Sequence, residues 1–328
     1  MVSVLVIGAG TMGATHIDAY KEMDDVRIVG IVDQALERAQ NLAKGICPVF
    51  QSLDEAVNLL ESIDVIDVSV PTPLHKEYVM KAAELGTDVI CEKPLAKNLE
   101  DAKEMIDVCN KKGVRLFVGH VVRFFPEYRE AKRLIDEGEI GMVGIARTFR
   151  GGVFPRGYNN WYQDVEKSGG VSLDLIIHDF DYLRWVLGDV ERVYAKGLRT
   201  LPTVQKDYNL VTLRFKNGAI AHVEGSWAHQ GFRTAFEFSG TEGIIDFDSS
   251  KAAPVTLVAN KQNETFSGVA VPKSPMRHNP YFLELRHFMD CLKSGETPIV
   301  TAEDAYKALE ISLAAYESIK TGKAVTIQ

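Results

Sequence analysis

Apolar and polar residues alternate along this chain in two different rhythms. Over the first 120 residues, short β-branched runs at Val2–Ile7, Val26–Val32, Val65–Val70, Val89–Cys91 and Val114–Gly119 read as buried strands. Longer stretches of helical character separate them: Thr11–Met23, Leu36–Lys44, Lys76–Leu85 and Leu99–Lys111. Gly86 after a helix, Asn98 before one and Gly113 before a strand punctuate the pattern. Such alternation predicts a parallel sheet with helices on both faces, whose ligands bind beyond the carboxyl ends of the strands.

After Arg123 the rhythm changes. Pro126–Gly138 still reads as a helix, but longer strands of alternating character follow at Val143–Arg150, Val190–Leu198, Asn209–Phe215, Ala219–Trp227, Thr234–Phe238 and Ile244–Phe247. Lys216-Asn217-Gly218 is a hairpin signal. One helix, Val171–Leu187, interrupts the strands, and helices near Tyr281–Ser294 and Ala302–Thr321 close the chain. The expected fold class is α/β, with a doubly wound parallel sheet over 1–120. An α+β domain with a large, mostly antiparallel open sheet is expected over 121–328, its last helix free to pack back on the first domain. An open sheet leaves a face to cover, so a homodimer or homotetramer through that sheet is expected.

Composition narrows the partners. The 328 residues are 46% apolar and 25% charged, with net charge −8, which fits a globular protein whose surface repels nucleic acid and anionic membranes. No stretch approaches the roughly 20 apolar residues of a membrane span. The apolar opening MVSVLVIGAG lacks a basic segment and stops at a glycine turn, so it reads as a strand and not a leader. Cys47, Cys91, Cys109 and Cys291 form no metal-type spacing, and a cytoplasmic protein with reduced thiols is expected.

The most specific local signal is Gly8-Ala9-Gly10-Thr11-Met12-Gly13, between the first strand and the first helix. In that context Gly8 makes the tight turn, Gly10 lets backbone amides approach a pyrophosphate, and Gly13 lets helix and strand pack closely. The helix amino end favours the phosphate charge. Asp33 ends the second strand, where a carboxylate accepts hydrogen bonds from the adenosine ribose and repels a 2′-phosphate. The expected cofactor is NAD in preference to NADP, although Arg38 lies close in sequence.

Further motifs follow the strands. They are Val70-Pro71-Thr72-Pro73-Leu74-His75, Cys91-Glu92-Lys93-Pro94-Leu95, Gly119-His120 with Arg123-Phe124, and Gly169-Gly170 ahead of Asp174-Leu175-Ile176-Ile177-His178 and Asp181. Together they resemble the glucose–fructose oxidoreductase, inositol dehydrogenase and rhizopine-catabolism family, Gfo/Idh/MocA, over nearly the whole chain. Two departures are mild: Val70-Pro71-Thr72 stands where the family often has Thr-Pro-Asn, and Val171 follows two glycines where three are common.

The resemblance implies an NAD-dependent oxidoreductase moving a hydride between nicotinamide and a secondary alcohol or ketone of a polyol or sugar, inositol being one such polyol. Oxidation needs a hydride acceptor and a base for the hydroxyl proton. By resemblance His178 is that base, Asp174 binds the substrate hydroxyl, and Lys93 stabilises developing alkoxide. Asp174 and His178, four residues apart on the expected helix, should share one face. Taken singly, a strand-end lysine or an Asp/His pair is as compatible with a solvated charge or a satisfied structural pair. The combination carries the assignment.

Cofactor contacts are expected at Gly8, Gly10, Thr11, Met12, Gly13, Asp33, Pro71, His75, Glu92, Lys93 and Pro94. The family suggests a cis Lys93–Pro94 bond. His75 reads equally as a cofactor-edge residue or a helix cap. Substrate contacts are expected from Lys93, Arg123, Trp161, Asp174, His178 and Asp181, with Trp161 equally compatible with ordinary packing. His229, Arg233 and His278 are possible rim residues, and His16, His222 and His287 read as structural. No metal is expected. Alternative readings are an NAD-assisted glycosidase, a nucleotide-sugar dehydrogenase using Arg150, Arg156 and Arg233, or a non-catalytic sensor.

Overall fold

The computed structural model describes residues 1–199, 207–251 and 279–327. They cluster into two compact units, one drawn from Met1–Phe124 and Lys273–Tyr306, the other from Phe125–Pro272 and Lys307–Gln328.

In the first unit the elements run β1 (Val2–Ile7), α1 (Thr11–Lys21), β2 (Val26–Val32), α2 (Leu36–Ala43), β3 (Val49–Phe50), α3 (Leu53–Leu59), β4 (Val65–Val68), α4 (His75–Glu84), β5 (Asp88–Glu92), α5 (Leu99–Lys112) and β6 (Leu116–Gly119). The sheet is ordered β3-β2-β1-β4-β5-β6 and every pairing is parallel. Its order reverses between β1 and β4, which places a binding crevice beyond the carboxyl ends of those strands. β3 and α3 were not among the expected runs. Two residues are too short for β3 to show a period, but α3 carried a signal in Ser52, whose hydroxyl accepts from the Glu55 amide at 3.2 Å.

In the second unit lie α6 (Pro126–Asp136), β7 (Val143–Val153), α7 (Val165–Ser168), a π-helical turn (Val171–Leu175), α8 (Ile177–Leu187), β8 (Val190–Arg199), β9 (Asp207–Phe215), β10 (Ile220–Ser226), β11 (Ala228–Gly240) and β12 (Ile244–Asp248). After them come α9 (Pro280–Ser294), α10 (Ala302–Thr321) and β13 (Val325–Thr326). The seven-stranded sheet is ordered β12-β11-β7-β10-β9-β8-β13, antiparallel except where β7 and β10 run parallel. Val193, Val211, Leu213, Val223, Phe236 and Phe238 are buried on one face of this sheet. Tyr128 stacks edge-on against Tyr182 at 4.7 Å and Phe236 at 5.0 Å, joining α6, α8 and β11. The Asn217-Gly218 hairpin forms as expected, Gly218 adopting φ +95°.

Helix α9 belongs to the first unit. Its Phe282, Leu285, Phe288 and Met289 share a core with Val4, Val6, Ile17, Tyr20 and Phe117. Among the described residues no helix is long and apolar enough to cross a membrane.

Candidate active site

The glycine turn is built by exclusion of side chains. Gly8 has φ +108°, and a Cβ there would lie 2.5 Å from the Ser69 carbonyl oxygen. A Cβ on Gly13 would lie 1.8 Å from the Gly8 oxygen, so α1 and β1 approach as closely as backbones allow. Around Gly10 there is open space, and Gly10, the N-cap of α1, has no side chain of its own to cap the helix. A helix start opened by a glycine with open space around it, followed by Thr11 and Met12, fits a dinucleotide pyrophosphate.

Asp33 is buried at the end of β2. Its Oδ2 accepts from the Ala9 amide at 2.8 Å and its Oδ1 from the Ala35 amide at 2.8 Å. Arg38 Nη2 donates to both oxygens, at 2.7 and 2.9 Å. Each oxygen therefore already accepts twice, near the capacity of a carboxylate. A ribose hydroxyl reaches Asp33 only by taking over a place that Arg38 holds.

Lys93 leaves the carboxyl end of β5, two strands from β1 in the same sheet, and the Lys93–Pro94 bond is cis. The corner is fixed from two sides. Buried His75 opens α4 with Nδ1 2.9 Å from the Pro94 carbonyl and Nε2 2.9 Å from the Val70 carbonyl. It thus ties the turn that begins at Pro71 to the Lys93–Pro94 corner. Burial lowers the His75 pKa, although these carbonyls and Glu92 oppose the shift. Glu92, expected at the cofactor, is buried and accepts the Lys93 amide on Oε2 at 3.1 Å.

In the second unit Gly169 and Gly170 both have left-handed φ, +70° and +64°. A Cβ on Gly170 would meet Asp207 Oδ2 at 2.8 Å, the atom that accepts the Val171 amide at 3.2 Å. This launches a π turn in which the Ile176 amide donates to the Val171 carbonyl at 3.0 Å. Here the structure corrects the sequence. The helix expected over Val171–Leu187 is broken at Ile176, so Asp174 lies in the π turn and His178 in the first turn of α8. The four-residue spacing therefore does not give the shared face of one regular helix. π turns of this kind recur at functional sites. Asp174 is buried, His178 half-buried and Asp181 buried.

Next to His178, Asp179 is fully buried and accepts from Arg150 Nε at 2.6 Å. Burial opposes the Arg150 charge, but Asp179 outweighs it and the pKa rises. Sequence reasoning missed this pair, because no spacing links β7 to α8. Two of the three arginines considered for a diphosphate are thereby engaged: Arg150 with Asp179, and Arg233 with Asp248 at 2.8 Å.

Other expected contacts have architectural partners. Arg123 is buried, donating to the Ile299 carbonyl at 2.8 Å and to Asp304 at 3.3 Å, because the 3₁₀ turn Val121–Phe124 directs its guanidinium into the first unit. Trp161 stacks on Tyr162 with centroids 4.1 Å apart. His229 packs edge-on against Phe149 at 5.1 Å. His222 is exposed and lies 3.2 Å from the Thr212 hydroxyl, and His287 accepts the Ile299 amide at 2.9 Å. His278 lies outside the described residues.

A parallel sheet with this glycine turn fits a dinucleotide-binding fold, and comparison with known proteins gives the class, an NAD-dependent oxidoreductase. Residues 2–120 match the family model for the oxidoreductase family, NAD-binding Rossmann fold, and residues 132–327 match its C-terminal alpha/beta domain. The chain belongs to the Gfo/Idh/MocA oxidoreductase family. It is 32% identical over 335 residues to scyllo-inositol 2-dehydrogenase (NAD(+)) of Bacillus subtilis, covering 98% of this chain and 95% of that protein. It is 30% identical to myo-inositol 2-dehydrogenase of Thermotoga maritima, covering 98% of both. The crystal structure of GenD2 from gentamicin A biosynthesis in complex with NAD superimposes with TM-score 0.89 at 25% identity, covering 100% of this chain and 96% of that one.

Proposed function

We propose that this protein is a dehydrogenase that moves a hydride between NAD and a CH–OH carbon of a cyclic polyol or sugar, an inositol-type polyol being the favoured class. Lys93 donates a hydrogen bond to the reacting oxygen and stabilises alkoxide character, His178 takes the hydroxyl proton, and Asp174 binds the substrate hydroxyl. NAD, when bound, supplies the hydride acceptor. The chain's own groups orient the alcohol and move its proton. Gly8, Gly10, Thr11, Met12 and Gly13 would hold the pyrophosphate and Asp33 the ribose. Pro71, His75, Glu92 and Pro94 shape the nicotinamide end.

The observation that carries this reading is the place of Lys93. A lysine on a fixed corner at the carboxyl edge of the sheet, on the edge that carries the glycine turn, fits a proton-handling role better than a solvated charge. The dehydrogenase names of the relatives support the same class. The test is an NAD-reduction screen at 340 nm over inositols, aldoses and nucleotide sugars, with Lys93→Ala and His178→Ala beside the native protein. Accumulation of NADH with an inositol or aldose is the expected result. Full turnover in either variant removes that residue from the scheme.

Self-association through the seven-stranded sheet belongs to the same proposal. On the face opposite its core the sheet exposes Ile145, Leu210 and Leu198, next to charged Arg147 and Lys196. A second copy would bury these apolar positions, and light scattering on the native protein and Leu210→Arg tests it. A dimer or larger oligomer that Leu210→Arg dissociates is the expected result.

A further inference from the structure

Below the cofactor edge of the first unit lies a charged cluster of which the scheme above uses only Glu92. His16, on the second turn of α1, is 0% exposed and stands between two carboxylates from different strands. Its Nδ1 lies 2.8 Å from Asp67 Oδ2 on β4, and its Nε2 lies 3.1 Å from Glu92 Oε1 at the end of β5. Asp67 also accepts from the Tyr20 hydroxyl at 2.6 Å and the Ser69 hydroxyl at 2.8 Å. Cys91 on β5 and Glu284 on α9 are within electrostatic reach of the cluster.

An imidazole that donates from both nitrogens is the protonated form. Burial opposes that charge, yet Asp67 and Glu92 together raise the His16 pKa well above its ordinary value. The product is a fixed Glu92 side chain. One of its oxygens is held by His16 and the other accepts the Lys93 amide at 3.1 Å. The missing side chain of Gly119 leaves room for it, since a Cβ there would already stand 3.3 Å from Oε1. Packing alone would be served by apolar residues of the same size.

We propose that His16 is a positioning residue for Lys93: by bridging Asp67 and Glu92 it locks the Glu92 carboxylate against the Lys93 amide and so sets where the lysine leaves the strand. The same histidine rides on the helix whose amino end receives the cofactor phosphates, so one side chain registers both parts of the first unit's site. The proposal rests on the role assigned to Lys93 above.

Its test uses His16→Asn and the milder Glu92→Gln in the full-length protein with NAD. In the native protein, nitrogen NMR should find both His16 ring nitrogens protonated at pH 8. The Lys93 amide should exchange with solvent at least tenfold more slowly than in either variant, while the Leu213 amide of the second unit stays unchanged. With the polyol that turns over fastest in the screen, His16→Asn should lower kcat about tenfold. On a Lys93→Met background the same substitution should cost nothing further. A neutral His16 at pH 8, or a Lys93 amide indifferent to both substitutions, overturns the proposal. If His16→Asn does not fold, Glu92→Gln carries the same readings. If Lys93→Met keeps native turnover, the role of Lys93 falls, whereas the amide measurement still decides whether His16 positions that corner.

Discussion

The corner that carries Lys93 and the turn that carries Asp174 and His178 are held by different kinds of contact. The corner hangs on strand ends of one sheet. His75 bridges two neighbouring turns, and Glu92, held on its other oxygen by His16, reaches its own next amide. The π turn is held from far along the chain, by Asp207 at its start and by Arg150 through Asp179 at its end. The first arrangement gathers its contacts, the His16 bridge between Asp67 and Glu92 included, from one parallel sheet and the helices on it. The second depends on a buried ion pair and two left-handed glycines, and it should fail more easily when one contact is lost.

The sharpest way to probe the comparison is to remove the two proton-handling groups themselves. Lys93→Met and His178→Gln should each lower kcat with a turned-over polyol by about 10³-fold, with NAD affinity within threefold of native, measured by steady-state kinetics and cofactor fluorescence. Equal losses in NAD affinity would mean that both changes act on the fold.

Breaking the far-held support comes next. Asp179→Asn leaves Arg150 buried with a weakened partner and should cost about 3 kcal/mol in urea unfolding, whereas replacing both members by apolar residues should restore most of it. A cost below about 0.5 kcal/mol would show that the turn does not depend on this pair.

Gly170→Ala forces a side chain to φ +64° and against Asp207. A loss of about 1–3 kcal/mol is expected, with turnover falling in parallel. The matching change in the first unit, Gly10→Ala, meets open space and should leave stability nearly native while weakening NAD binding.

The buried charge on His16 gives a pH signature. Its folded pKa lies above the unfolded value, so its contribution is complete below about pH 6.5. The contribution declines as pH rises toward the folded pKa, by up to about 1.4 kcal/mol per pH unit. Unfolding free energy of the native protein minus that of His16→Gln, followed from pH 6 to 9, should fall with this slope. A flat difference would remove the charge.

The smallest effect is expected at Asp33. Because Arg38 already occupies its oxygens, Asp33→Asn should weaken NAD by about tenfold. Arg38→Ala, which frees an acceptor, should leave NAD binding equal or tighter. Titration of both variants with NAD and NADP measures this.

Much of the first unit could be read from the residues. The glycine turn, Asp33 at a strand end and the Glu92-Lys93-Pro94 run all sit where local pattern and strand order place them. β3 escaped because two residues carry no period. The second unit's strands were legible by alternation, but its central helix was not. A π turn followed by an α-helix has the same apolar composition as one continuous helix, and only the backbone path from Gly169 to Ile176 distinguishes them.

By itself, then, the sequence determined the periodicities, the phosphate turn and the residue types able to move a hydride's partner proton, because these depend on neighbours a few positions apart. Tertiary structure decided which charges are engaged: Arg38 on Asp33, Arg150 on Asp179, and His16 between Asp67 and Glu92. Such pairs join residues on separate elements, and their worth comes from burial, a quantity that no spacing along the chain encodes.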